Sequence, residues 1–138
     1  MMWYRGGNTM GTVRTYEDLD VWHLSMDLAE MVYILTRKLP SEEKFALGDQ
    51  MRRAAVSIPS NIAEGQSRSA TGDYIRFLSF AKGSNSEIHT QLLLGVRLGY
   101  FTKEQVEKPL ELCGRIRRML NSLISSLKKK NQTEYGEF

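Results

Sequence analysis

The chain has 138 residues, of which 41% are hydrophobic and 25% charged. That is the ordinary make-up of one globular domain, large enough to bury a core without a metal or a disulfide. A single cysteine, Cys113, precludes an intrachain disulfide, no run of about 18 apolar residues could span a membrane, and the N-terminus lacks the apolar core of a signal peptide, so a soluble cytoplasmic protein is expected.

Residues 1–14 carry Gly and Thr without periodicity and are expected to form a flexible arm ahead of a bundle domain over residues 15–130. The first helical segment runs from about Tyr16 to Lys38. Trp22, Met26, Ala29 and Tyr33 make one apolar row, and Leu19, Leu28, Val32 and Leu35 a neighbouring one. Steps of three and four place both rows on one broad face. Leu39-Pro40 ends the segment, because the residue before proline is pushed out of the helical region.

The second segment opens at Ser41 as N-cap, with Glu42 and Glu43 at the positive end of the helix dipole. It is expected to reach Glu64 and to stop at Gly65 as a C-cap, with a kink near Ser57 caused by Pro59. After a polar loop over Gln66–Gly72, the third segment covers about Thr71 to Leu98 on Tyr74, Phe77, Leu78, Ala81, Ile88, Leu92 and Val96. Gly83 in its middle points to close approach of another helix, and Gly99 ends it.

The fourth segment has the most regular pattern. Thr102 and Gln105 form a capping box, followed by Val106, Leu110, Cys113, Ile116, Leu120, Leu123 and Leu127. Pro109 places the true start nearer Lys108, and Asn131–Phe138 reads as a flexible polar tail. No strand-like alternation competes. Long helices with short connections give an all-α, antiparallel up-and-down four-helix bundle.

Charge is unevenly spread. Glu17, Asp18, Asp20, Asp27 and Glu30 make the first segment acidic, whereas Arg115, Arg117, Arg118 and Lys128 to Lys130 make the last one basic. Arg115 and Arg118 lie one turn apart, and Lys128, Lys129 and Lys130 extend the charge at the helix end. Such a face is either simply solvated, or it contacts nucleic-acid phosphates, or it meets Glu17, Asp20 or Glu30 of a neighbouring subunit. A second feature is a polar row of Gln50, Arg53, Ser57, Asn61 and Glu64, beside Leu47, Met51, Ala54, Ile58 and Ile62. Ser84, Glu87 and Gln91 form a matching short row on the third segment. These rows are either two wet helix faces or a hydrogen-bonded network where helices or subunits meet.

Catalytic chemistry finds no support. His23 and His89 lie on different segments, Cys113 belongs to an apolar seam, and Glu87-Ile88-His89 lacks the Glu-x-x-His spacing of di-iron bundles. There is no phosphate-binding glycine loop and no nucleophile elbow. No cofactor, metal or catalytic residue is expected.

The run Leu39-Pro40-Ser41-Glu42-Glu43-Lys44-Phe45-Ala46-Leu47, then Gln50-Met51-Arg52-Arg53-Ala54-Ala55, then Ser57-Ile58-Pro59-Ser60-Asn61-Ile62-Ala63-Glu64-Gly65, closely resembles the bacterial four helix bundle protein group. That group is also called the 23S rRNA intervening-sequence protein family. Leu19-x-Val21-Trp22, Phe77-Leu78 to Ala81-x-Gly83-Ser84 with Glu87, and Leu98-Gly99-Tyr100 extend the resemblance over about Tyr16 to Leu127. Asn85-Ser86 departs from it, where a more apolar residue is expected after Gly-Ser. The resemblance implies a homopentamer. It also implies similarity to the accessory variability determinant of diversity-generating retroelements, a basic pentameric barrel that binds nucleic acid and a reverse transcriptase. The expected function is therefore a non-enzymatic, oligomeric protein associated with RNA or DNA. The alternatives are an oligomeric scaffold or adaptor with no nucleic-acid role, and an enzyme of unknown type.

Overall fold

The structure is a computed structural model and describes residues 13–135. Its described residues form a 3-10 turn, Tyr16–Asp18, followed by helices α1 (Asp20–Thr36), α2 (Ser41–Lys44), α3 (Leu47–Gln66), α4 (Thr71–Arg97) and α5 (Lys103–Tyr135). Four of these are long, and no strand occurs among the described residues. The expected N-terminal arm lies outside the described residues except for Val13 and Arg14, and α5 continues through Tyr135, past the boundary expected at Asn131.

The helices run antiparallel, as the contact register shows. Ser57 of α3 meets Ser84 of α4, while Gly65 farther along α3 sits against Phe77 and Tyr74 nearer the start of α4. Asn85 of α4 reaches Cys113 of α5, and Gly95 lies under Phe101 at their connection. The contacting pairs are α1 with α3, α3 with α4, α4 with α5 and α5 with α1, so the bundle closes on itself.

One core holds these faces together, with Leu28, Met51, Ile58, Leu78, Ile88 and Ile116 fully enclosed. The α1 row of Leu19, Leu28, Val32 and Leu35 is buried as expected. The companion row is not: Met26 and Tyr33 are exposed, and Trp22 and Ala29 only partly covered. Val21 and Ser25 fill the core-facing row instead, and Ser25 is tolerated there because its hydroxyl donates to the Trp22 carbonyl at 2.8 Å.

Several boundary expectations are corrected. The second segment is broken: α2 is a single turn, and Ala46 at φ −114°, ψ −93° leaves helical geometry before α3 begins. Phe45, at the break, is 83% exposed, so apolarity there does not mark a core position. Pro40 rather than Ser41 is the N-cap of α2, and no side chain caps it. Gly65 is not a C-cap. It is buried within α3, which ends at Gln66, because a Cβ there would lie 2.9 Å from Phe77 Cβ and 3.0 Å from Tyr74 Cδ1. Gly83 is exposed, with nothing within 4 Å of its Cβ position, so the close approach expected there occurs at Gly65. Both helices that carry an internal proline are continuous, α3 through Pro59 and α5 through Pro109. Helix α5 begins at Lys103 and not near Lys108, because the Thr102–Gln105 capping box fixes its start. The Thr102 amide donates to Gln105 Oε1 at 2.9 Å, and the Gln105 amide donates to Thr102 Oγ1 at 3.1 Å.

Gly99 does end α4 as expected, at φ +79°, a conformation that needs glycine. No helix among the described residues is long and apolar enough to cross a membrane.

Candidate nucleic-acid interface

The basic face belongs to α5. Its inward side is set by Val106, Cys113, Ile116, Leu120, Leu123 and Leu127, all buried, with Leu110 half-buried. Pro109, Leu112, Met119 and Ile124 are buried beside this seam. That leaves Arg115, Arg117, Arg118 and Lys128 to Lys130 exposed. From Leu112 to Lys130 the sequence contains no acidic residue. At 1.5 Å per residue this stretch is about 27 Å long. Acids flank this stretch on both sides: Glu104, Glu107 and Glu111 in the N-terminal third of α5, where Lys108 pairs with Glu111 at 3.3 Å, and Glu134 near its C-terminal end. Arg115, Arg117, Arg118, Lys128 and Lys130 form no ion pair among the described residues. The Arg118 guanidinium folds back over Gly114, whose Cβ position lies 3.5 Å from Nη1.

Projected through the register of Asn85 with Cys113, the start of α4 at Thr71 is level with about Leu127, the last buried residue of α5 among the described side chains. Lys128 to Lys130 therefore sit where α5 projects beyond the start of α4.

The polar row divides. Ser84 Oγ donates to Ser57 Oγ at 2.8 Å, and Asn61 Nδ2 donates to both Ser57 Oγ and the Ser57 carbonyl, each at 2.8 Å. These three residues form a half-buried link between α3 and α4. Gln50, Arg53, Glu64 and Glu87 stay at the surface. Glu64 pairs with Arg68 at 3.1 Å, and Glu87 lies 3.4 Å from Gln91 Nε2.

Asn85, where the sequence departs from the pattern it resembles, is a core residue at 3% exposure. Its amide donates to the Cys113 carbonyl at 2.9 Å, and its Oδ1 is buried without a partner. The signal was available in the steps Leu78, Ala81, Asn85, Ile88, Leu92, Gly95, which form an unbroken three-four series. Cys113 beside it has its thiol pushed up to about 12 by burial, so it is a protonated, inert group at neutral pH. His23 donates to the Glu17 carbonyl at 2.8 Å and packs edge-on against Trp22. Among the described residues no group of three or more His, Cys, Asp or Glu side chains could hold a metal ion.

Sequence reading also missed two apolar grooves. One, of about 690 Å³, runs between α1 and α3 over Trp22, Met26, Tyr33, Ile34, Val56 and Pro59. The other, of about 910 Å³, lies between α4 and α5 over Leu93, Leu94, Val96, Val106 and Leu110. The order of helix contacts puts them on opposite flanks of the bundle.

A crystal structure of a protein with unknown function from the S23 ribosomal protein family of Bacteroides thetaiotaomicron is similar to this chain. It shares 30% sequence identity and a TM-score of 0.71, over 76% of this chain and 95% of that one. No curated protein matches. The sequence profile of the 23S rRNA-intervening sequence proteins matches residues 17–122, which takes in α1 to α4 and most of the α5 seam, and the chain belongs to that family.

Proposed function

We propose that this protein is a non-enzymatic, oligomeric bundle that associates with RNA or DNA by contacting phosphates through α5. The observation that carries this reading is the acid-free stretch Leu112–Lys130, with its exposed arginines left without ion pairs. Arg115, Arg117 and Arg118 and then Lys128 to Lys130 form two cationic clusters within about 22 Å of rigid helix, and cations held this way displace the counterions of nucleic-acid phosphates. No recognition element for base sequence accompanies them, so binding is salt-dependent and largely indifferent to sequence.

Oligomerisation is supported by the two grooves. Exposed Met26, Tyr33 and Ile34 on one flank, and Leu93 and Leu94 on the other, are apolar faces that further copies of the chain would cover. Unlike patches on opposite flanks pair head-to-tail, and such contacts close into rings when the rotation allows. The family resemblance suggests five copies. A ring repeats the α5 face in every subunit, so weak phosphate contacts act together. Under this reading the partners are further copies of the chain and RNA or DNA, with a reverse transcriptase suggested by the resemblance.

A scaffold without nucleic acid is the second reading. It is favoured by exposed Asp27 and Glu30 on α1, which could pair with α5 of a neighbouring copy. The double charge reversal Arg115→Glu/Arg118→Glu separates the two. Anisotropy of a labelled RNA is measured across a salt series, with light scattering for assembly. Phosphate contact predicts that RNA binding is lost while the oligomer persists, with the salt slope falling by about one for each contact removed. Dissociation of the oligomer, with no RNA bound by the unaltered protein even at low salt, overturns the nucleic-acid reading in favour of the scaffold.

A further inference from the structure

The seam between α4 and α5 holds a small polar pocket of about 270 Å³, lined among others by Asn85, Ser86 and His89 of α4 and by Gly114 and Arg117 of α5. Gly114 leaves it open on the α5 side: a Cβ there would meet Arg118 Nη1 at 3.5 Å and no other side chain within 4 Å among the described residues. Asn85 donates across the seam to the Cys113 carbonyl at 2.9 Å, and its Oδ1 is buried without a partner. Ser86 and His89 are exposed, and among the described residues neither the Ser86 hydroxyl nor the His89 ring forms a hydrogen bond. Arg117 forms no ion pair there either. From Gly114, the exposed residues Arg118, Asn121, Ser125 and Lys128 follow at steps of four and three on one face of α5. That polar stripe leaves the pocket and runs about 21 Å along the helix.

We propose that this pocket takes one sugar-phosphate unit of an RNA strand, with the phosphate on Arg117 and the ribose 2′-hydroxyl among Ser86, His89 and Asn85, so that the protein prefers RNA to DNA. This rests on the nucleic-acid reading and specifies the ligand of that same face.

Three features favour a ribonucleotide unit. The lining sets a cation beside groups that donate and accept, namely the Ser86 hydroxyl, the His89 imidazole and the unpartnered amide oxygen of Asn85. A hydroxyl next to a phosphate matches that set, whereas the bare carbon of deoxyribose would leave the same groups unpaired. The volume lies below the roughly 300–1,000 Å³ of sites that enclose a whole small molecule, so a segment of a longer chain fits better than a free cofactor. The strand also has a way on, because the stripe from Arg118 to Lys128 continues the face of Gly114 and contains no acid. The pocket therefore lies on the basic face itself, beside Arg117 and Arg118.

The test measures, by anisotropy at low salt, a labelled oligouridylate and an oligodeoxyuridylate of equal length, which differ only in the 2′-hydroxyl. It uses the full chain and two variants. Ser86→Ala/His89→Ala removes the hydroxyl and the imidazole, and Ser86→Leu fills the pocket; both positions are exposed, so the fold is preserved. The full chain should bind the RNA about 10-fold tighter than the DNA, the worth of one or two net hydrogen bonds. Each variant should bring that ratio close to one by weakening RNA alone, with DNA affinity and oligomeric state unchanged. Equal affinity of the full chain for the two strands, a preference that survives in either variant, an equal loss for both strands, or dissociation of the oligomer would each overturn the pocket, the last by placing a second copy on the seam. The parent reading fails separately. If the full chain binds neither strand, both proposals fall; if it binds both equally, only the pocket does.

Discussion

Replacing Gly95 with Ala should destabilise the protein, while replacing Gly83 with Ala should stabilise it, although both glycines lie within α4. The chain folds back at the end of α4 so that the Gly95 carbonyl accepts from the amides of Tyr100 at 2.9 Å and Phe101 at 3.2 Å. That fold lays the Phe101 ring, 3% exposed, directly on the Gly95 Cα. A Cβ at Gly95 would lie only 2.5 Å from Phe101 Cε2, against about 3.5–4.0 Å for ordinary carbon contact. The ring must retreat by about 1 Å within a packed core, which costs about 2–3 kcal/mol. Alanine returns about 1 kcal/mol in helix propensity. The net loss is about 1–2 kcal/mol, or roughly 3–8 °C in Tm for a chain of this size. At Gly83 only the propensity gain remains, about 0.5–1 kcal/mol, because nothing lies within 4 Å of the added methyl. Thermal unfolding followed by circular dichroism at fixed protein concentration reads both changes. A Gly95→Ala variant that melts at or above the parent temperature would refute the packing argument. A drop for Gly83→Ala would refute the open surface at that site.

Burial that holds the Cys113 thiol near 12, from 9.0, makes the folded state retain a proton that the unfolded state releases. Stability should therefore be unaffected below about pH 9 and fall as pH rises from there toward 12. Urea titrations should show that decline in the parent and a shallower one in Cys113→Ala, and a thiol reagent at pH 8 should label the urea-unfolded chain at least 100-fold faster than the native one. Asn61→Ala removes two hydrogen bonds and leaves Ser57 Oγ with Ser84 alone. The expected loss is about 1 kcal/mol in urea denaturation, and an unchanged midpoint would mean that the link between α3 and α4 carries no stability.

Much of the bundle was legible because its signal is local. The α5 seam and the Thr102–Gln105 box are patterns that a single helix imposes on its own sequence, and both occur as read. What escaped depends on neighbours. The close approach expected at Gly83 occurs at Gly65, because helix position alone cannot say which glycine another helix will touch. Trp22, Met26 and Tyr33 continue the apolar face of α1, and only the placement of α3 decides that their row flanks the core instead of filling it. Asn85 was passed over because a polar side chain breaks an apolar count, whereas in the folded chain the Cys113 carbonyl supplies it with a partner. On the basic face, the exposure of Arg115, Arg117 and Arg118 follows from the α5 period.

The cyclic order of helix contacts also sets the route by which the chain acquires its shape. Three of the four long-helix contacts join helices that follow one another in sequence, and only α1 against α5 joins the chain's two ends. Successive antiparallel pairs close short loops and form with little loss of chain entropy. The contact of α1 with α5 must wait until the intervening helices have brought the ends together. Most native contacts are thus local, which places the chain among rapid folders. Lesions at the interface of α1 and α5 should chiefly speed unfolding, whereas those between α3 and α4 should slow folding as well.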